Sequence, residues 1–225
     1  MNDSALEIAN NAIFHGDVAL LREVVSAGLD LHQSFAHGNT LLRNACSRGG
    51  SGPLELLLEL GADPNQRSYY HSPVDKRFEA GFTPLMYAHS VEAASALVAH
   101  GADVNAASDA GITPLMRARC EAVARVLVEH GAALDAVNNL GTTALMFAAK
   151  AACADVVSYL VSQGANVNAR QLYRRGRKMY TALRFAKEGL AEFSKINPGE
   201  LGGAGERFLE NYRKIVMLLE SAGAV

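Results

Sequence analysis

Two short segments of this chain combine aromatic side chains with arginines, a combination suited to recognising another molecule. The first is QRSYYHSPVDKRFEA, from Gln66 to Ala80, and the second is ARQLYRRGRKMY, from Ala169 to Tyr180. Aromatic rings bury large areas at interfaces, and a guanidinium donates two parallel hydrogen bonds to a carboxylate. These residue types therefore predict a surface that binds a protein partner with an acidic face.

Catalytic and metal-binding patterns are not found in the sequence. There is no GxxxxGK[ST], GxSxG or HExxH motif, and no histidine stands at metal-ligand spacing from a cysteine or aspartate. His71 is the sole histidine that a loop could bring to a cysteine as a catalytic dyad. We therefore expect no enzyme activity, no cofactor and no metal site.

The elements that must position these segments recur along the chain. A glycine that closes an apolar run stands at Gly28, Gly61, Gly101, Gly131, Gly164 and Gly223, at intervals of 33, 40, 30, 33 and 59 residues. A second motif keeps phase with it, starting at Thr40, Thr83, Thr113, Thr143 and Thr181. Two motifs in phase predict a repeat architecture in which each unit buries its apolar face against its neighbours.

The unit from Thr143 to Gly164 shows why each repeat folds as a helix pair. Thr143 can cap the first helix with its hydroxyl, and the second helix carries an amphipathic stripe that includes Val157 and Leu160. Gly164 ends that helix, because glycine adopts the left-handed conformation of a C-terminal cap without a Cβ clash.

These motifs resemble the ankyrin repeat, a β-turn finger followed by two helices, over nearly the whole chain. The resemblance implies an all-α solenoid of about six helix-turn-helix repeats, within a single domain of residues 1–225, and a scaffold that binds proteins through its fingers and concave helix face. The expected repeats are approximately 1–34, 35–67, 68–107, 108–137, 138–170 and 171–225.

The chain departs from the family pattern in its helices. Where the family has histidine after the TPL motif, this chain has Arg43, Met86, Met116, Met146 and Arg184, so we expect methionine packing there. The third and fourth repeats measure 18 residues from threonine to closing glycine, against 21 in the second and fifth. Such trimmed repeats resemble those of bacterial ankyrin proteins.

The chain also departs from the family in its insertions. The two segments rich in aromatics and arginine fall in fingers, the edge with which this family usually binds, and the residue after the finger glycine is usually exposed there. The candidate partner-binding residues are Tyr69, Tyr70, Arg77, Phe78, Phe82, Ile112, Arg170, Tyr173, Arg174, Arg175, Arg177 and Tyr180. The plainer alternative is two tolerated surface loops, since insertions cost little free energy.

A third insertion, AEFSKINPGELGGAGER from Ala191 to Arg207, is predicted to be a loop because of its glycines and Pro198.

The composition of the chain limits the class of partner molecule and the cellular compartment that we expect. The net charge is -2, so the run RRGRK from Arg174 to Lys178 favours an acidic protein over nucleic acid. Three cysteines and no signal peptide or apolar membrane segment indicate reduced thiols in the cytoplasm. We expect a monomer; the sequence leaves open whether it inhibits an enzyme, as an immunity protein does a toxin, or acts as a secreted effector.

Overall fold

The computed structural model describes most of the chain: residues 2–35, 38–48, 51–71, 78–172, 179–196 and 198–225. The backbone divides into two compact units. The first comprises Met1–Pro114 and Glu129–Gly131, and the second comprises Leu115–Val128 and Ala132–Val225.

The first unit is built from pairs of antiparallel helices and one hairpin. Its helices are α1 (Asn2–His15), α2 (Val18–Ser26), α3 (Leu41–Arg48), α4 (Ser51–Glu59), a 3₁₀ helix (Pro84–Tyr87) and α5 (Val91–Ala99). Its hairpin consists of β1 (Ser68–His71) and β2 (Phe78–Phe82), which pair antiparallel.

The second unit continues the same pattern. Its helices are α6 (Pro114–Arg117), α7 (Glu121–Glu129), α8 (Ala144–Lys150), α9 (Ala154–Ser162), α10 (Ala182–Phe193) and α11 (Pro198–Ser221), and α6 and α7 each reach one residue into the first unit. A second hairpin joins β3 (Gln171–Leu172) to β4 (Met179–Tyr180). The predicted all-α fold of helix-turn-helix repeats is confirmed, with two hairpins added at fingers.

The local signals of the repeat act as predicted. The Thr143 hydroxyl accepts a hydrogen bond of 3.3 Å from the Met146 amide and so caps α8. Gly164, which follows α9, has a φ of 88°, in the left-handed region where an added Cβ is strained. Met86 and Met146 are 1% exposed, so methionine packing replaces the histidine of the family pattern.

The shortened third repeat keeps only one turn of its first helix. Pro84–Tyr87 is a 3₁₀ helix, and Ser90 caps α5 through a hydrogen bond of 3.2 Å from the Ala93 amide. Thr83 makes no side-chain capping bond here, because a single 3₁₀ turn does not place its third amide against the hydroxyl. The three missing residues are therefore removed from the end of the first helix.

The predicted loop from Ala191 to Arg207 is wrong, since most of this segment is helical. Helix α10 runs to Phe193, and α11 begins at Pro198, whose ring suits a first helical turn. Tyr212, Ile215 and Leu219, further along α11, are buried at one-turn spacing. Packing of this apolar stripe outweighs the cost of the glycines near the start of the helix.

Asparagine and aspartate side chains join each repeat to the next within each unit. In the first unit, the Asn65 amide group donates to the Gly101 carbonyl at 2.9 Å, and its carbonyl oxygen accepts from the Asp103 amide at 2.8 Å. In the second unit, Asn168 donates to Gly223 at 3.1 Å and accepts from the Val225 amide at 2.9 Å. These side chains satisfy backbone groups that the closing glycine leaves outside the helix.

We predict that Asn65→Ala lowers the free energy of unfolding by about 1–2 kcal/mol, because two exposed side-chain hydrogen bonds to the next repeat are lost. Asn65→Asp keeps the acceptor for Asp103 and should lose less, since Asp135 accepts from the Asn166 amide at 2.9 Å in the same way. Urea unfolding monitored by circular dichroism measures both. An unchanged midpoint for Asn65→Ala would show that the side chain is dispensable.

Replacing each of two helical glycines by alanine should change the stability of the protein in opposite directions. A Cβ on Gly189 would overlap the Tyr212 ring, whose hydroxyl donates to the Lys150 carbonyl at 2.8 Å. Gly189→Ala should therefore destabilise the protein by about 1–3 kcal/mol. Around Gly203 in α11 nothing lies within 4 Å of an added Cβ, so Gly203→Ala should stabilise by up to about 1 kcal/mol.

Thermal unfolding of these two variants provides the measurement. A stabilised Gly189→Ala protein would show that α10 and α11 are not packed as closely as the Tyr212 ring requires.

Candidate functional site

The first hairpin extends the finger that precedes the 3₁₀ helix. Tyr69 pairs with Ala80 and Tyr70 with Glu79, and the Tyr69 amide donates to the Gly38 carbonyl of the preceding finger at 3.2 Å. The Tyr69 ring is 50% exposed, as a contact residue requires. Arg77 lies outside the described residues, and for Tyr70 and Phe78 only the backbone is described.

Phe82 is buried, so the expectation that this position after the finger glycine is exposed is wrong. It is 8% exposed, and its ring centre lies 5.8 Å from that of Tyr87. The hairpin explains this burial, because Phe82 pairs with Ser68, whose hydroxyl donates to the Phe82 carbonyl at 3.1 Å. Phe82 therefore anchors the hairpin to the helix below it.

The base of the first hairpin is also joined to the following finger. Arg67 lies 3.7 Å from the Asp109 carboxylate, and the Asp109 amide donates to the Ala80 carbonyl at 3.1 Å. In that following finger the Ile112 amide donates to the Ser108 hydroxyl at 3.1 Å, and the Ile112 side chain is half-buried. The predicted residue Ile112 thus remains partly accessible on a finger that is fixed to its neighbour.

An interaction that the sequence did not predict lies on the first helices of the first unit. The Arg43 guanidinium stacks 4.3 Å from the centre of the Tyr87 ring, although the two residues belong to successive repeats. A cation over an aromatic face is stabilising, and Arg43 occupies the position where other repeats have methionine. Arg43 thus links one first helix to the next.

The second hairpin carries the other predicted cluster. Gln171 pairs with Tyr180 and Leu172 with Met179; Tyr173, Arg174, Arg175 and Arg177 lie outside the described residues. Arg170 is exposed, and Tyr180 is half-buried. The Tyr180 ring lies 5.0 Å from that of Phe185, and the Arg184 guanidinium lies 4.7 Å from the Tyr180 ring centre. Tyr180 therefore joins the second hairpin to α10 and stays partly accessible.

Beside this hairpin, the second unit has a groove of about 610 Å³. Its walls combine apolar, polar and charged side chains, namely Arg170, Met179, Thr181, Leu183, Arg184, Lys187, Glu188, Ala191 and Val225. This volume lies within the range of about 300–1,000 Å³ typical of ligand clefts.

Positive charge is concentrated in the segment that contains the second hairpin. Residues 170–187 contain seven Lys or Arg and no Asp or Glu. Since the whole chain has 21 basic and 23 acidic residues, the remainder has 14 basic and 23 acidic, a net charge of -9 against +7 for this segment. A segment of such charge attracts an acidic surface at low ionic strength.

The three cysteines are free thiols, and the environments of Cys46 and Cys153 do not suit a nucleophile. Burial raises the pKa of Cys46 to about 12. Burial also raises the pKa of Cys153, against the opposing effect of the nearby Arg119 charge. Nucleophilic attack requires a thiolate, which a raised pKa makes scarce at neutral pH.

The described part of the chain has neither a metal-ligand cluster nor a helix that could span a membrane. No group of three or more His, Cys, Asp and Glu residues there is arranged to hold a metal ion. No described helix combines the length and apolar character needed to cross a bilayer.

Comparison with known proteins places the chain in a family. A family model described as ankyrin repeats (3 copies) matches residues 9–108 and 106–171, and the chain belongs to the ankyrin-repeat family. No curated protein matches the sequence. Ankyrin repeats generally serve as protein–protein interaction scaffolds, and their stacked units present extended binding surfaces.

The fold is also similar to that of a solved structure. The crystal structure of the ankyrin repeat domain of Bcl-3, a member of the IkappaB protein family, aligns with a TM-score of 0.67 and 22% identity. The alignment covers 97% of this chain and 86% of that chain. At this identity the similarity establishes the fold.

Cys46 provides a test of this packing. Because the residue is 1% exposed and burial raises its pKa to about 12, its thiolate is scarce at pH 8. We predict that a disulfide-exchange reagent at pH 8 titrates at most two thiols in the folded protein and three in guanidinium chloride. Cys46→Ala should lower only the second value; a fall in the folded-state value would contradict the burial of Cys46.

Proposed function

We propose that this protein is a non-enzymatic scaffold that binds an acidic partner protein through its extended fingers. The observation that carries the proposal is the charge of residues 170–187, which is +7 in a chain whose remainder is -9. Arg170, Arg184 and Lys187, its described cations, lie along one groove. The exposed Tyr69 of the first hairpin adds an aromatic contact.

The architecture supports tight binding by surfaces of this kind. Backbone hydrogen bonds pair the strands of each hairpin, and further bonds fix Tyr69 to Gly38 and Asp109 to Ala80. Contact residues held on fixed backbones lose little conformational entropy when a partner binds. The hairpins therefore act as preformed contact elements at their bases.

A protein partner fits the groove better than nucleic acid does. The apolar Leu183 and Met179 in its lining offer nothing to a phosphate backbone, whereas they can pack against an apolar side chain. A polypeptide supplies both carboxylates and apolar side chains. The proposal places the protein in the cytoplasm, where its three free thiols would remain reduced.

The test is capture from native lysate with the intact protein and three variants. One variant carries Tyr69→Ala and Tyr70→Ala, and a second carries Tyr173→Ala, Arg174→Ala and Arg175→Ala. The control carries Lys195→Ala and Arg213→Ala, two exposed cations outside the groove. We expect the second variant to lose the partner and the control to keep it, because the second variant removes charge from the second hairpin.

Binding should also weaken as NaCl rises from about 0.05 to about 0.5 M, since the attraction between exposed charges is screened. Circular dichroism confirms that each variant is folded. A partner that both finger variants retain would place the site away from the fingers, and an unchanged yield at high salt would exclude an electrostatic interface.

A further inference from the structure

The groove of the second unit lies on a face of α10 that differs from the matching face of α8. Counting from Thr143 and Thr181, Arg184 and Lys187 of α10 correspond to Met146 and Ala149 of α8. In α8, which packs against α10, these residues are 1% and 0% exposed. Arg184 is half-buried and Lys187 is exposed. The face that is apolar in one repeat is therefore cationic in the next.

This substitution selects the kind of molecule that can cover the groove. Another repeat of the same type would bury Arg184 and Lys187 under apolar side chains, and removing charged side chains from water is costly even when they are paired. An occupant that supplies carboxylates offsets part of this penalty. The charge of the groove thus argues for a complementary, acidic occupant.

The lining of the groove also includes apolar side chains. Leu183 is 6% exposed and Met179 is 44% exposed, so an aliphatic or aromatic side chain could pack between them. Apolar area that is removed from water in this way stabilises a complex. The groove therefore combines one apolar subsite with a cationic rim.

The cations that line the groove can exchange their present carboxylate partners for those of a bound molecule. Arg184 pairs with Glu188 at 3.1 Å and Lys187 with Glu220 at 2.7 Å, but each of these side chains is at least 38% exposed. Exposed pairs of this kind contribute little stability and give way to other carboxylates. Arg170 makes no side-chain hydrogen bond or ion pair among the described residues, so an incoming carboxylate can pair with it directly.

We propose that this groove binds an acidic peptide segment of the partner protein. One leucine-like side chain of that segment enters between Met179 and Leu183, and the flanking carboxylates pair with Arg170, Arg184 and Lys187. This inference rests on the proposed scaffold function and adds the partner's chemistry, a single apolar anchor within an acidic stretch.

The test uses three dye-labelled probes of equal net charge in fluorescence anisotropy titrations. They are the capped peptide Asp-Glu-Leu-Glu-Asp, the same peptide with serine in place of leucine, and a five-nucleotide oligothymidylate. The protein is compared with Arg170→Glu and Met179→Ser. The matched control is Lys195→Glu, which reverses an exposed cation two residues beyond the end of α10 and outside the groove lining.

The leucine peptide should bind about fivefold or more tightly than the serine peptide, because only leucine fills the apolar subsite. Arg170→Glu should weaken it about fivefold to tenfold, Met179→Ser about threefold, and Lys195→Glu should leave it unchanged. Equal binding of the two peptides would overturn the proposal, as would equal losses in Arg170→Glu and Lys195→Glu. Tighter binding of the oligothymidylate would instead assign the groove to nucleic acid.

The outcomes separate this inference from the proposed function. If the peptide results fail while the lysate partner is still lost from the second-hairpin variant, the scaffold function stands and the groove is not its site. If neither the peptide nor any protein binds, both proposals are wrong.

Discussion

The hydrogen bonds that one asparagine side chain makes across a repeat boundary are the interaction on which the rest of each unit depends. The closing glycine turns the chain out of its helix, and this leaves the backbone groups that follow it without helical partners. The Asn65 side chain forms hydrogen bonds with two of these backbone groups, at Gly101 and Asp103. The Asn168 side chain forms the equivalent bonds at Gly223 and Val225. Asn65 in the first unit and Asn168 in the second therefore hold the neighbouring repeat at the same point of the pattern.

The fixed spacing between neighbouring repeats limits where residues can be inserted or removed. Extra residues in a finger leave the apolar faces that neighbouring repeats share in place. The two finger insertions accordingly form hairpins that pair their own backbone groups, β1 with β2 and β3 with β4. Shortening occurs at a different point, since the third repeat loses residues from the end of its first helix and keeps α5 intact.

Local signals made the repeats predictable, and contacts between distant residues did not. The cap at Thr143 and the left-handed Gly164 depend on neighbours within a few positions, so the sequence predicted both. The burial of Phe82 depends on pairing with Ser68 across a hairpin, and the contact between Asn65 and Gly101 spans 36 residues. The helical start of α11 was missed because its distant apolar stripe outweighs glycine propensity.

The last repeat is where the chain departs furthest from the pattern that defines its family. The match to the family model ends at residue 171, the first residue of the second hairpin. Helices α10 and α11, which are 12 and 24 residues long, lie beyond it. The positions that bury Met146 and Ala149 in α8 become Arg184 and Lys187 in α10. Residues that stacking does not constrain are free to serve recognition. The specificity of this scaffold is therefore expected in the repeat that is least typical of its fold.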